Sequence, residues 1–235
     1  MPFYLGLATS SAGPILELAA GSGRLAIPIA AAGHDVTGVD KDVAMLDLAR
    51  ASWARASRAQ MASPPGSLTL VEHDLTTLSL PTRFDLVILA LNSLLLLDGR
   101  AAQELALNVL RAHLAPGGRA VVDVWLPSPD DLDLYDGRQV LDWIRTDPQT
   151  RERVAKSWSA TYDAAERRAT VATTFESEAA SRATTRRDSI TFIGADELLE
   201  LSQRAGLQPE SVLGDYSGAA WSEASERVVL IAGAG

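Results

Sequence analysis

The chain has 235 residues, of which 47% are hydrophobic and 22% charged, the proportions of a folded globular protein and not of a disordered one. Its 30 acids against 21 bases give a formal charge of −9, which repels phosphate backbones, so no nucleic-acid partner is expected. There is no cysteine, which excludes disulfides, thiolate metal sites and cysteine nucleophiles, and 3 scattered histidines point to no metal site.

The first half alternates strand-like with helix-like segments. Ile15 to Ala19 is a short apolar run ending in a glycine-rich turn. Arg24 to Ala32 reads as a helix stopped by Gly33, and Asp35 to Val39 as a second strand. Lys41 to Gln60 carries Val43, Met45, Leu46, Leu48 and Ala49 at close to helical spacing, and Ser63-Pro64-Pro65-Gly66 breaks it. Leu68 to Val71 is a third strand. Phe84 to Ala90 is a fourth, and its unbroken apolar character predicts burial on both faces. Ala101 to Leu114 is helical, Pro116-Gly117-Gly118 ends it, and Ala120 to Trp125 is a fifth strand. Such alternation predicts right-handed crossovers and a doubly wound α/β sheet.

After Pro127 the pattern changes. Residues 127–133 read as a proline-rich acidic loop. Four segments with a period near two follow: Gln139–Thr146, Val154–Tyr162, Ala169–Phe175 and Thr184–Ile193. They predict an antiparallel β insert over residues 127–193, with Asp163 to Arg168 as a hairpin turn. Asp196 to Ala205 returns to helix, and Glu210–Tyr216 with Arg227–Ala232 predict a closing hairpin. The domain reading is therefore a core of residues 1–126 and 194–235 around an insert that forms a substrate lid or a homodimer surface. The longest apolar run, Leu86 to Leu97, is broken by Asn92 and Ser93, and Met1 to Leu7 carries no basic leader. A cytoplasmic protein without membrane contact is expected.

The chemistry concentrates in Glu17-Leu-Ala-Ala-Gly21-Ser-Gly23-Arg24, between the first strand and the first helix of the alternation. Small residues there let the backbone approach a ligand. Glu17 lies inside an apolar strand, where an unpaired carboxylate costs several kcal/mol, so a partner is expected. Asp40 ends the second strand, where a carboxylate can accept both hydroxyls of a ribose or cap the next helix. Asp74 follows the third strand, placed for an adenine amino group or as an ordinary turn residue. An acidic rim suits a cationic, phosphate-free cofactor and repels a pyrophosphate.

These segments resemble the class I S-adenosylmethionine-dependent methyltransferases. Glu17 to Gly23 is similar to their first motif and Asp40 to the acid ending their second strand. Asp74-Leu75 resembles the adenine-edge pair, Phe84 to Ile88 the fourth-strand motif, and Leu114 to Gly118 the turn before the fifth strand. The resemblance implies a Rossmann-like seven-stranded sheet with its last strand antiparallel. It implies S-adenosyl-L-methionine as cofactor and S-adenosyl-L-homocysteine as product. By that resemblance Glu17 lies near the cofactor's amino group, Gly21 and Gly23 flank its methionine part, Asp40 holds the ribose, and Met45 packs on adenine. Asp74 and the Leu75 amide hold the adenine edge, and Lys41 and Ala19 belong to the same site. Ala19 stands where the family often has glycine, with only a slight adjustment of the turn expected. Asn92, the one candidate for a positioning role in catalysis, faces the methyl group and substrate, or simply ends a strand.

Only a short segment precedes the first strand, and Phe3 to Leu7 resembles the tail of the helical cap found in relatives. Leu96 stands where some small-molecule relatives carry a polar residue, so no base is expected there. Asp123 or Tyr162 could serve as one. Trp125, Tyr135, Trp143, Trp158, Tyr162, Arg186, Arg187, Tyr216 and Trp221 are candidates for a substrate wall. His34 and His113 read as structural, His113 as a cation at a helix C-terminus. The expected function is methyl transfer to a nitrogen or oxygen of a small molecule. The alternatives are a nicotinamide-dependent oxidoreductase and a non-catalytic protein that binds the same cofactor.

Overall fold

A computed structural model describes residues 1–59, 66–148, 150–178 and 183–235. The breaker at Ser63 to Pro65 and the end of the predicted helix at Gln60 lie outside the described residues. In chain order the elements are α1 (Pro2–Thr9), β1 (Ile15–Leu18), α2 (Ala26–Ala31), β2 (Asp35–Asp40), α3 (Val43–Ala59), β3 (Ser67–Glu72), β4 (Phe84–Leu89), a 3-10 turn at Ser93–Leu96, α4 (Gly99–Ala112) and β5 (Leu114–Trp125). Then follow α5 (Pro129–Asp133), β6 (Val140–Thr146), β7 (Arg153–Asp163), β8 (Arg168–Ser177), β9 (Thr184–Thr191), α6 (Ala195–Arg204), β10 (Leu207–Leu213) and β11 (Arg227–Ala234). They form two compact units, one of residues 1–94, 100–126 and 194–235, the other of residues 95–99 and 127–193.

The first unit is built on a seven-stranded sheet of order β10-β11-β5-β4-β1-β2-β3. β1 pairs in parallel with β2 and β4, β2 with β3, and β4 with β5, whereas β11 runs antiparallel to both β5 and β10. The central strands are the apolar ones. All four residues of β1 are buried, and in β4 only Asp85 is partly exposed. Helices cover both faces of such strands, which is why they read as continuous apolar runs instead of alternating ones. The edge strand β3 alternates between exposed and half-buried positions.

α1 is helical although its sequence shows no amphipathic period. Its Tyr4 and Ala8 are buried in the cluster that holds Ile15, Leu25, Ala26, Ile29 and Val229, and Phe3, Leu5 and Leu7 pack against it. Burial of one face stabilises a helix that is too short to persist alone. Several expected boundaries shift: α4 ends at Ala112 and not at Leu114, and β10 spans Leu207–Leu213 and not Glu210–Tyr216. Residues 21–25 are turns, so α2 starts at Ala26 and not at Arg24, and β5 starts earlier, at Leu114.

The second unit is an antiparallel meander of order β6-β7-β8-β9. The β7–β8 hairpin closes on Asp163↔Arg168, and Asp163 Oδ1 accepts the amides of Ala165 at 2.9 Å and Glu166 at 3.1 Å. Part of the segment expected to be a loop is helical. In α5 the Ser128 hydroxyl and the Asp131 carboxylate cap each other's backbone amides, a reciprocal pair that satisfies two donors at once. Most of the aromatic residues considered for a substrate wall are packing partners within this unit. Tyr135 meets Trp158 edge-on with ring centroids 6.3 Å apart, Trp143 lies 6.2 Å from Phe175, and Tyr162 lies 5.9 Å from Phe192. Arg186 is paired with Asp188 at 2.8 Å.

Candidate active site

The carboxyl edge of the large sheet gathers the three acids. Glu17 lies in β1 opposite Gly38 of β2 and Ile88 of β4, Asp40 ends β2 opposite Glu72, and Asp74 lies just beyond the end of β3. Because these strands are parallel neighbours, their chain exits open on one rim. That rim is where ligands of open α/β sheets bind.

Glu17 is only 4% exposed. One side of its carboxyl accepts the Ala26 amide, while its Oε2 has no hydrogen-bond partner among the described residues. Burial pushes the carboxyl up to about 8, helped by the charge of Asp40 and opposed by the Ala26 amide and Arg24. At neutral pH the side chain therefore keeps its proton. An orphaned buried carboxyl oxygen is costly, and a bound cation would both satisfy it and restore its charge.

Asp40 organises the turn beside it. Its Oδ2 accepts the Gly21 amide at 2.7 Å and its Oδ1 the Asp42 amide at 2.9 Å. Gly21 is left-handed at φ 54°, and a Cβ there would lie 3.5 Å from Met45 Cε and 3.9 Å from Asp40 Oδ2. The glycine thus leaves a shallow cradle walled by Met45 and Asp40. Gly23, at φ 80°, makes room for α2 itself, for a Cβ there would meet Ile27 Cδ1 at 2.7 Å. Ala19 takes φ 56°, the conformation glycine adopts freely, at a cost on the order of 1 kcal/mol. The turn keeps its shape, and the strain sits in that one residue.

Asp74 is exposed, and the Thr76 side chain donates to its Oδ1 at 2.6 Å and the Thr76 amide at 2.8 Å. Those bonds, with smaller contributions from Lys41 and His73, hold its carboxyl below the usual range. Asp74 is thus a turn residue as well as a rim acid. An ionised carboxylate has about four acceptor positions, so the two Thr76 bonds leave it room for a ligand amine. Leu75 beside it is half-buried and Lys41 is exposed.

Asn92 is bound more tightly than a free substrate contact would be. It is left-handed at φ 67°, directly after Leu91 at φ 57°, and its Oδ1 accepts the Trp125 amide at 2.7 Å. It therefore ties the exit of β4 to that of β5, leaving its side-chain NH2 as the part able to meet a ligand. His113 is structural but not as a cation. Its Nδ1 lies 2.7 Å from the Val109 carbonyl and its Nε2 accepts the Leu80 amide at 2.9 Å, the bonding of a neutral ring.

A second buried acid was legible only in part. Asp123 of β5 is 0% exposed, and its Oδ2 accepts the hydroxyls of Tyr4, at 2.5 Å, and Tyr216. Arg227 of β11 lies 3.5 Å from the same oxygen, donates to the Tyr216 hydroxyl at 2.8 Å and sits 4.5 Å above its ring. Oδ1 accepts the Asn92 amide at 3.3 Å. Both oxygens of the carboxylate are engaged, so its hydrogen bonds argue against the expectation that it could act as a free base. Tyr4 and Arg227 were not singled out from sequence. The available signal was the one that marked Glu17, an acid inside an apolar strand.

Comparison with known proteins fits this geometry. Residues 15–118 match a family described as "Methyltransferase domain". The match spans β1 to the start of β5, the part of the sheet that carries the three acids. Among curated proteins, the cypemycin N-terminal methyltransferase of a Streptomyces species is 25% identical over 217 residues, 92% of this chain and 81% of that one. The solved CcbJ methyltransferase from Streptomyces caelestis superposes with a TM-score of 0.79 at 23% identity, covering 99% of this chain and 94% of its own. CalS10 from Micromonospora echinaspora, an amino pentose methyltransferase solved with the cofactor bound, gives 0.66 at 23% identity over 97% and 86% of the two chains. The chain shares the fold of these two solved structures. Among the described residues it has no cluster of metal ligands and no helix long and apolar enough to cross a membrane.

Proposed function

We propose that this methyltransferase moves the methyl group of S-adenosylmethionine to an amine nitrogen of a small molecule. The observation that carries the reading is the orphaned Glu17 oxygen, buried at the edge where Asp40 and Asp74 also emerge. It fits an ammonium group, which would bring the missing donor. Gly21 and Gly23 would let the methionine part lie against the backbone. Asp40 would take the ribose hydroxyls, Met45 would pack on the adenine, and Asp74 with the Leu75 amide would hold the adenine edge. Lys41 would flank the adenosine, and Ala19 sets the turn beneath it. The rim would repel a dinucleotide pyrophosphate, which argues against an oxidoreductase.

The cofactor supplies an already activated methyl group on a sulfonium. The chain's tasks are then alignment and exclusion of water. Two observations favour nitrogen over oxygen as acceptor. Asp123 is hydrogen-bonded at both oxygens, and burial with the neighbouring Asp123 pushes the Tyr216 phenol up to about 12, so neither group is a ready base at neutral pH. A neutral amine needs no base before attack, whereas a hydroxyl wants one. The cypemycin relative, named for an N-terminal substrate, and the amino pentose enzyme act on acceptors of this kind by name. We further propose that residues 127–193 govern acceptor choice.

The test incubates the protein with S-adenosylmethionine and a panel of amino sugars, peptides with free N-termini, and phenols, followed by mass detection of products. Methylated amines support the reading. Methylation of phenols alone overturns the nitrogen assignment. No transfer together with no binding of S-adenosylhomocysteine in calorimetry overturns the whole.

A further inference from the structure

The Asp123 cluster lies at the same rim as the acids but belongs to none of their roles. Register places it there. Leu18 of β1 is level with Leu89 of β4, Leu89 with Val122 of β5, and Asp123 is the next residue. Its partners come from distant parts of the sequence: Tyr4 on α1, Tyr216 on the loop between β10 and β11, Arg227 at the start of β11, and the Asn92 backbone after β4.

The loop bearing Tyr216 is itself pre-set. Asp215 Oδ1 accepts the amides of Ser217 at 2.8 Å, Gly218 at 3.0 Å and Ala219 at 3.2 Å, which fixes the backbone around the tyrosine. Phe3, Tyr4 and Tyr216 then pack edge-on and tilted against one another, with centroid separations from 5.2 to 5.8 Å. Asn92 needs help of another sort, because two consecutive left-handed residues other than glycine must be held by their surroundings. The help visible is the amide bond to Asp123 and the side-chain bond to Trp125.

We propose that Asp123 is a positioning residue for methyl transfer, a buried clasp that fastens α1 and the Tyr216 loop to the turn carrying Asn92. It touches neither cofactor nor acceptor; it sets the residue beside them. The proposal rests on the function proposed above in placing Asn92 on the acceptor side. The cofactor half of the rim, β1 to β3, is outside its reach. Damage to the clasp therefore lowers the rate of transfer and spares cofactor affinity.

Asp123→Asn removes acceptor capacity while keeping size. Calorimetry with S-adenosylhomocysteine should give a Kd within about threefold of wild type. Amide hydrogen exchange should speed up about tenfold or more at Leu91 to Ser93 and across α1. With the best acceptor of the amine panel, kcat should fall about tenfold or more while the KM for S-adenosylmethionine stays put, a split that general loosening of the fold would not give. Unchanged exchange at Asn92, an unchanged kcat, or loss of cofactor affinity in parallel with kcat overturns the proposal. Tyr4→Phe and Tyr216→Phe each remove one hydroxyl and keep the test open if Asp123→Asn does not fold. The first should loosen α1 and the second the loop, each with a smaller fall in kcat, and neither effect appearing would overturn the clasp. Failure of the wild type to bind S-adenosylhomocysteine would remove the proposed function, yet the exchange data would still decide whether Asp123 holds Asn92.

Discussion

Glu17 and Asp123 are two buried acids at one rim, in strands separated only by β4, and they are opposites in their bonding. Glu17 has an oxygen without a donor among the described residues, while Asp123 has two phenols and a guanidinium at one oxygen and an amide at the other. Apolar neighbours make burial expensive for both. The difference is in who supplies the compensation. For Asp123 the chain supplies it, and the result is rigidity. For Glu17 the chain leaves one oxygen without a donor, and under the function proposed above the cofactor's ammonium supplies it.

The sharpest way to break this contrast is Asp40→Ala. It removes the proposed ribose contact and the acceptor for the Gly21 amide together. S-adenosylhomocysteine binding should weaken about a hundredfold or more in calorimetry, consistent with about 1.5–3 kcal/mol for each charge-assisted bond. Unchanged binding would detach Asp40 from the site.

Glu17→Gln should separate affinity from stability. The amide cannot pair with an ammonium as an ion, so S-adenosylhomocysteine should bind about tenfold more weakly. The ligand-free protein should melt higher, because the burden of a buried ionisable group is gone. A lower melting point would mean that the wild-type carboxyl has a partner after all.

The pH dependence follows from the same residue. The folded pKa of about 8 exceeds the ordinary glutamate value of 4.5, so between those values the folded state binds the extra proton. Glu17 thus makes ligand-free stability decline as pH rises from about 5 to about 8 and level off above. Ligand binding near neutral pH should release this proton, measurable as a dependence of calorimetric heat on buffer ionisation. A stability contribution that rises over that window would overturn the assignment.

Asp74→Ala should cost less than Asp40→Ala, about three- to tenfold in affinity, because Asp74 is exposed and already bonded to Thr76. Ala19→Gly gives the smallest effect. Relief of the left-handed alanine, against the extra chain entropy of glycine, should leave a gain of up to about 0.5 kcal/mol in urea unfolding. A loss would show that the turn is not strained at that residue.

How much of this could be read from the residues alone differs along the chain for physical reasons. The large sheet was legible because parallel strands buried on both faces write themselves as apolar runs, and Phe84 to Ala90 is such a run. The rim acids were legible because a charge inside or directly after such a run needs a reason. The four strands of the meander were legible from alternation. α1 was suggested only by the resemblance of Phe3 to Leu7 to a helical cap, since its helix depends on packing against residues distant in sequence and no period marks it. α5 was hidden because a reciprocal Ser128–Asp131 cap resembles any polar turn until its geometry is known. The clasp was hidden for a related reason: Tyr4, Asp123, Tyr216 and Arg227 have no common spacing, and only the completed topology brings them together. The backbone of Leu91 and Asn92 was hidden as well, since a left-handed leucine leaves no mark in composition.

The place of β11 has a consequence for how the molecule is made. This strand follows every other strand in the chain, yet it lies between β10 and β5. While it is still inside the ribosome, β10 has no neighbour to join and the growing sheet ends at β5. Arg227, at the head of the same strand, arrives with it. Biogenesis of this sheet is therefore a keystone process: its six other strands wait, and the rim acquires its final shape when the seventh slides in.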